Sequence, residues 1–134
     1  MTSDTEDAMS EVYYASTVLR VGAEAKAMVD GGVLILYADP IPEALEEASV
    51  VHRPSGPPTD EIRCGDRLWL GGQLIEIVAV GERATQNLRE LGHVVIYVNA
   101  ADTQLLPGAV HGRGTLTSPE AGARLALVAG GPGR

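Results

Sequence analysis

The side chains of this 134-residue chain best suited to covalent or acid-base chemistry are three histidines and one cysteine: His52, His93, His111 and Cys64. Imidazole, with an ordinary pKa of about 6.5, is largely neutral at physiological pH and can act as nucleophile, proton carrier or metal ligand. A lone histidine is nonetheless more often a structural hydrogen-bonding group, so residue type alone does not choose a role for His52. Spacing decides more about metals. The three histidines are widely separated and fit no short ligand motif, and one cysteine makes neither a zinc cluster nor an intramolecular disulfide. No metal and no bound cofactor are expected. Cys64 reads as a small semi-buried side chain, because Arg63 and Arg67 nearby do not by themselves make a thiol reactive. The phosphate-cradling pattern G-x-x-x-x-G-K-[ST] does not occur, so the chain carries no nucleotide loop of that kind.

The elements that must position these groups are short. Val12 to Val21 is rich in β-branched residues and tyrosine, Val33 to Tyr37 is an apolar run, and both read as strands. Between them Ala23 to Val29 has room for two helical turns, closed by Asp30 and Gly31. Pro40 and Pro42 interrupt the chain, Glu43 to Glu47 can form one acidic turn, and Ala48 to His52 reads as a strand ending at its histidine. Arg53 to Gly65 contains Pro54, Gly56, Pro57 and Pro58, a composition that resists regular pairing and predicts an exposed loop. Leu68 to Leu70 and Gln73 to Val80 flank Gly71-Gly72, whose freedom at positive φ suits a tight hairpin. Glu82 to Leu91 places Ala84, Leu88 and Leu91 at helical spacing, and Gly92 stands where a left-handed cap belongs. His93 to Val98, Ala109 to Gly112 and Arg124 to Ala129 complete the strands. No internal repeat is visible.

This pattern predicts a mainly β fold: a small closed or nearly closed antiparallel β-barrel with one or two short helices. The length suits one domain, placed at residues 11–129, between a flexible acidic tail at 1–10 and a flexible tail at 130–134. Hydrophobic residues make up 45% of the chain with no Phe, so the core is expected to be aliphatic. A formal charge of -8 argues against nucleic acid as a partner and leaves a basic protein surface possible. Residues 1–10 lack the basic start and apolar run of a secretory signal, and no apolar stretch approaches the roughly 18 residues of a membrane span, so direct membrane insertion is not expected. A cytoplasmic location is the simplest reading.

The run Asn87-Leu88-Arg89-Glu90-Leu91-Gly92-His93-Val94, preceded by Ala79-Val80-Gly81 and followed by Pro107-Gly108-Ala109-Val110-His111, resembles the glucitol/sorbitol-specific IIA component of the bacterial phosphotransferase system. Upstream, Arg20-Val21-Gly22-Ala23 is similar to the opening of that family, and Leu45-Glu46-Glu47 followed by Val51-His52 is similar to its active-site region. The likeness spans roughly residues 12 to 129.

The resemblance implies a small phosphocarrier with a barrel-like β fold, a relay rather than a self-contained enzyme. It would accept phosphate on a histidine from HPr and pass it to the IIB domain of a membrane-bound IIBC permease, in the service of hexitol uptake. The position matching the phosphorylated histidine is His52. His93 and His111 are candidates for a surrounding role, orienting the imidazole or donating to it, and Arg53 and Ser55 for phosphate contacts. Family members can carry a second histidine two residues beyond the first, whereas this chain has Arg53 and then Pro54. The rival expectation is a regulatory or protein-binding member of the same fold that has left transport.

Overall fold

The structure, a computed structural model, describes residues 12–100 and 102–130. The tail expected at 1–10, and all but Gly130 of the one expected at 130–134, lie outside those residues. In chain order the elements are β1 (Val12–Val21), α1 (Ala25–Asp30), β2 (Val33–Ala38), α2 (Glu43–Glu46), β3 (Val50–Pro54), β4 (Arg67–Leu70), β5 (Gln73–Val80), α3 (Ala84–Leu91), β6 (Val94–Val98), β7 (Ala109–Gly114) and β8 (Arg124–Val128). The strands close into a barrel in the order β1-β3-β2-β6-β7-β5-β4-β8, with β8 pairing back onto β1.

Alternation along each strand puts the larger aliphatic groups inside. In β6, Val94, Ile96 and Val98 are buried while Val95 and Tyr97 face outward. In β2, Leu34 and Leu36 point in. Leu34, Leu36, Leu68, Leu70, Ile75, Ile77 and Leu125 are fully buried, each contributing about 1.5 to 3 kcal/mol by leaving water. The hairpin between β4 and β5 turns on Gly71 and Gly72 at φ of +59° and +94°, as expected from sequence.

Three expectations need adjustment, the first being that three short helices form among the described residues where one or two were expected. β2 and β3 pair in parallel, as do β6 and β7, so the barrel is mixed within a mainly antiparallel frame. Parallel neighbours need a crossover, and residues 39–49 and 99–108 supply one each. β3 also runs past His52 to Pro54, so the histidine sits mid-strand instead of at the strand's end. Proline, lacking an N–H, is a natural terminus for that ladder.

The barrel is internally duplicated, contrary to the absence of a visible repeat in the sequence. Gly22 N–H donates to Ser49 O at 2.9 Å, Glu24 N–H to Glu47 O at 2.8 Å and Ala25 N–H to Gly22 O at 3.0 Å. Gly81 N–H donates to Ala109 O at 2.8 Å, Arg83 N–H to Pro107 O at 2.8 Å and Ala84 N–H to Gly81 O at 3.1 Å. The β1/β3 ladder slips between Val18 and Arg20, and the β5/β7 ladder slips between Ile77 and Ala79. Segment β1-α1-β2-α2-β3 therefore repeats as β5-α3-β6-β7, the halves meeting along the antiparallel β2/β6 ladder. In this correspondence Val18 opposite His52 matches Ile77 opposite Gly112, and Ser16 opposite Pro54 matches Ile75 opposite Gly114.

Candidate functional site

His52 shares the inward face of β3 with Val50 and is fully buried at one end of the barrel interior. Both ring nitrogens are engaged. Nε2 lies 2.7 Å from the carbonyl oxygen of Gly92, and Nδ1 lies 2.6 Å from the hydroxyl of Ser16 on β1. A carbonyl can only accept, so Nε2 carries the proton, and Nδ1 accepts the hydrogen of Ser16. Tyr14 meets the imidazole edge-on, ring centroids 6.4 Å apart at 70°. Burial holds the imidazole below its ordinary pKa, and the bond to Gly92 offsets that only in part. The ring is accordingly neutral, with one lone pair, at physiological pH.

Gly92 reaches His52 for reasons written into the end of α3. Helix α3 closes on Gly92 in the left-handed conformation, φ +62°, with Gly92 N–H returned to Leu88 O at 2.9 Å and His93 N–H to Asn87 O at 3.3 Å. A β-carbon there would stand 2.3 Å from Cβ of Ala38, the residue paired with His52 on β2. Only a residue without a side chain brings its carbonyl over the ring.

Outside this seal lies a groove of about 670 Å³. Tyr14, Ala38 and Gly92 line it nearest the histidine, and Pro54, Leu91 and Arg89 line its walls. Gly92 belongs to the groove and Ser16 does not, so Nε2 is the nitrogen on the groove side. Asp39 and Glu90 also face it, the first bonded to Arg20 at 3.2 Å, the second accepting from Gln86 at 3.0 Å. The guanidinium of Arg89, in the last turn of α3, makes no ion pair among the described residues.

The other site residues expected from sequence fall elsewhere. His93 stacks on Tyr37, centroids 4.6 Å apart, and its Nδ1 is 2.9 Å from Leu36 O, so it braces β2 next to the Gly92 cap without touching His52. His111 pairs with Tyr97, which pairs with Val33, at the opposite end of β2 from Ala38. That places it about 17 Å away along the strands and on the opposite face of the wall. It is not a neighbour of His52. Arg53 follows His52 in the strand and therefore points outward, opposite Thr17. Ser55 directs both its N–H, at 2.9 Å, and its hydroxyl, at 3.2 Å, to Ala15 O, extending the β1/β3 ladder in place of offering donors to the groove. Cys64 is exposed rather than semi-buried, its Sγ 3.3 Å from Val78 O. Among the described residues no group of three or more His, Cys, Asp or Glu is arranged for a metal, and no helix is long and apolar enough to cross a membrane.

Sequence reasoning missed Ser16, Tyr14 and the Gly92 carbonyl. The first two are ordinary strand residues in a sequence, and the third is a backbone atom common to every position.

The barrel belongs to a known class of fold. The IIA component of the phosphotransferase system from Enterococcus faecalis V583 has the same fold, with a TM-score of 0.75, 18% identity, and coverage of 86% of this chain and 99% of that one. The profile of the glucitol/sorbitol-specific IIA component of that system matches residues 13–126. The glucitol/sorbitol-specific EIIA components of Shigella flexneri and of Escherichia coli strain K12 are each 34% identical over 100 residues, covering 75% of this chain and 80% of theirs. The chain belongs to the glucitol/sorbitol-specific IIA family of the phosphotransferase system, and its partners are phosphotransfer partners within that system.

Proposed function

We propose that this protein is a cytoplasmic phosphocarrier for sugar-alcohol uptake, in which His52 accepts phosphate from HPr and passes it to the IIB domain of a membrane-bound IIBC permease. The observation that carries the reading is convergence on one imidazole. Three segments that resemble the family meet there: the strand leading to Arg20-Val21-Gly22 brings Ser16, the Val51-His52 pair brings the ring, and Leu91-Gly92-His93 brings the carbonyl. Each is separately encoded, and each touches His52 or is His52.

The chemistry suits a neutral buried ring. A lone pair on nitrogen attacks phosphorus without a strong base, and the phosphoimidazole so formed gives its group onward when the other nitrogen is protonated. The hydroxyl of Ser16 donates or accepts, so it supports a proton on either side of the ring. Gly92 supports only one. When its carbonyl withdraws, the proton moves to Nδ1, where Ser16 Oγ accepts it, and Nε2 presents its lone pair to the groove. The ring has no exposed surface in the resting state, so docking must open that cap. A hydrogen bond contributes about 0.5 to 1.5 kcal/mol net, and helix ends open more readily than barrel strands, so the barrier is modest. Arg89 at the mouth gives the incoming phosphoryl dianion a cation.

The test is reconstitution with enzyme I, HPr and phosphoenolpyruvate. Wild-type protein should take acid-labile label on His52, located by mass spectrometry, and His52→Ala should take none. Undiminished labelling of His52→Ala would reject His52 as acceptor. Failure of the wild type to load at all would favour a regulatory or protein-binding role.

A further inference from the structure

The polar set around His52 has no counterpart in the other half of the barrel. The duplicated positions replace His52 with Gly112 and Ser16 with Ile75, and two residues earlier in the strand Tyr14 gives way to Gln73. Apolar packing fills the vacated place: a β-carbon on Gly112 would stand 2.5 Å from Cγ2 of Ile75. The architecture therefore stands without an imidazole, a hydroxyl or a phenol at this depth, and the half that has one has all three.

Of the three, only Tyr14 is unaccounted for. Its side chain is 3% exposed, and its hydroxyl has no hydrogen-bond partner among the described residues. Leaving a buried hydroxyl unpaired costs about 1 to 3 kcal/mol, which phenylalanine at the same place would avoid. Yet Tyr14 lines the groove together with Gly92, whose carbonyl covers Nε2, and its ring meets the imidazole edge to face. We propose that the Tyr14 hydroxyl is the donor that receives the phosphoryl group on His52, hydrogen-bonding one of its non-bridging oxygens during transfer and in the loaded protein.

The inference rests on the proposed role of His52 and adds a second residue to it. In the step, the lone pair of Nε2 forms the new N–P bond as the N–P bond to the donor protein's imidazole breaks, and that bonding pair returns to the donor's ring nitrogen. The donor ring leaves neutral, keeping the proton on its other nitrogen, and His52 keeps its own on Nδ1. No water or oxidant enters. Charge on the transferring group is carried by its equatorial oxygens, where a fixed donor acts. Burial raises the pKa of Tyr14 further above its ordinary value, so the phenol stays protonated and remains a donor.

Tyr14→Phe removes one oxygen and tests this directly, with His52→Ala run beside it in the reconstituted phosphorelay. Expected are a fall of about 100-fold in the maximal loading rate of Tyr14→Phe, little change in the half-saturating concentration of HPr, a displaced phosphorus resonance of the phosphohistidine, and a thermal midpoint equal to or above wild type. A wild-type loading rate and an unmoved resonance in Tyr14→Phe, with His52→Ala unlabelled, overturn the Tyr14 role and leave His52 standing. Slower loading with a lowered midpoint also overturns it, since the hydroxyl would then be structural. Full labelling of His52→Ala removes both.

Discussion

His52 Nε2 and the carbonyl oxygen of Gly92 are 2.7 Å apart, linking the middle of one strand to the cap of a helix forty residues later. This contact ties the two halves of a duplicated barrel together at a place where they differ in chemistry. It fixes the tautomer, because a carbonyl accepts and never donates. It also sets the resting state: in the transfer we propose, the atom to be freed is the one the cap holds. Under that proposal, the cover keeps the unloaded ring from water until a partner docks.

Gly92→Ala should show how tightly the cap is specified. The new methyl meets Ala38 Cβ at 2.3 Å, and the left-handed backbone is unfavourable for alanine. Together these should lower unfolding free energy by about 2 to 5 kcal/mol in urea titration. Combining it with Ala38→Gly should recover the steric part and leave about 1 to 2 kcal/mol. If the double variant is no more stable than Gly92→Ala, the contact with Ala38 is not what demands glycine.

Ser16→Ala should leave Nδ1 of a buried imidazole without a partner, at a cost of about 1 to 3 kcal/mol. Nitrogen NMR of the wild-type ring at neutral pH should report a proton on Nε2 and a bare Nδ1. Because Ser16 is the group able to support the other tautomer, the alanine variant should also load more slowly while keeping the resting tautomer. Loading at the wild-type rate would show that the proton shift does not need this hydroxyl.

The barrel class was legible in the sequence because the cues were local: apolar alternation, the Gly71-Gly72 turn, the Gly92 cap. The family motif from Asn87 to His93 was legible as a string, but its physical role was not. Gly92 acts through a backbone carbonyl on a residue in another strand, and nothing in residue types announces such a contact. Ser16 was hidden for a similar reason, a hydroxyl on a strand being unremarkable until register places it beside His52. His111 misled because it followed a family-like segment, whereas strand alternation sends it to the outer face beside Tyr97. The duplication was obscured because the halves share little beyond Val21-Gly22-x-x-Ala25 and Val80-Gly81-x-x-Ala84. Backbone hydrogen bonds preserve a repeat after side chains have diverged.

That repeat makes Gly22 and Gly81 equivalent. A β-carbon on Gly22 would meet Glu46 O at 2.2 Å, and one on Gly81 would meet Leu106 O at 2.2 Å. In both cases the obstacle is backbone, which yields less easily than a side-chain tip. Gly22→Ala and Gly81→Ala should each destabilise by about 3 kcal/mol or more, and by similar amounts, in denaturant unfolding. A large effect at one and none at the other would break the equivalence.

Acid should destabilise the fold through His52. Its folded-state pKa lies below the ordinary 6.5 because burial disfavours the charged ring, so between those two values the unfolded chain binds a proton that the native protein refuses. Stability from this group is complete above about pH 6.5 and is lost as pH falls below it, with a slope of at most about 1.4 kcal/mol per pH unit, until the folded-state pKa is reached. The measurement is a difference, so that contributions from all other groups cancel: unfolding free energy of wild type against His52→Gln from pH 8 to pH 5. Glutamine keeps an amide donor for Gly92 and has no proton to gain in this range. The wild-type curve should fall away from the variant's below about pH 6.5, and parallel curves would mean that the buried imidazole is already free to take up its proton in the native state.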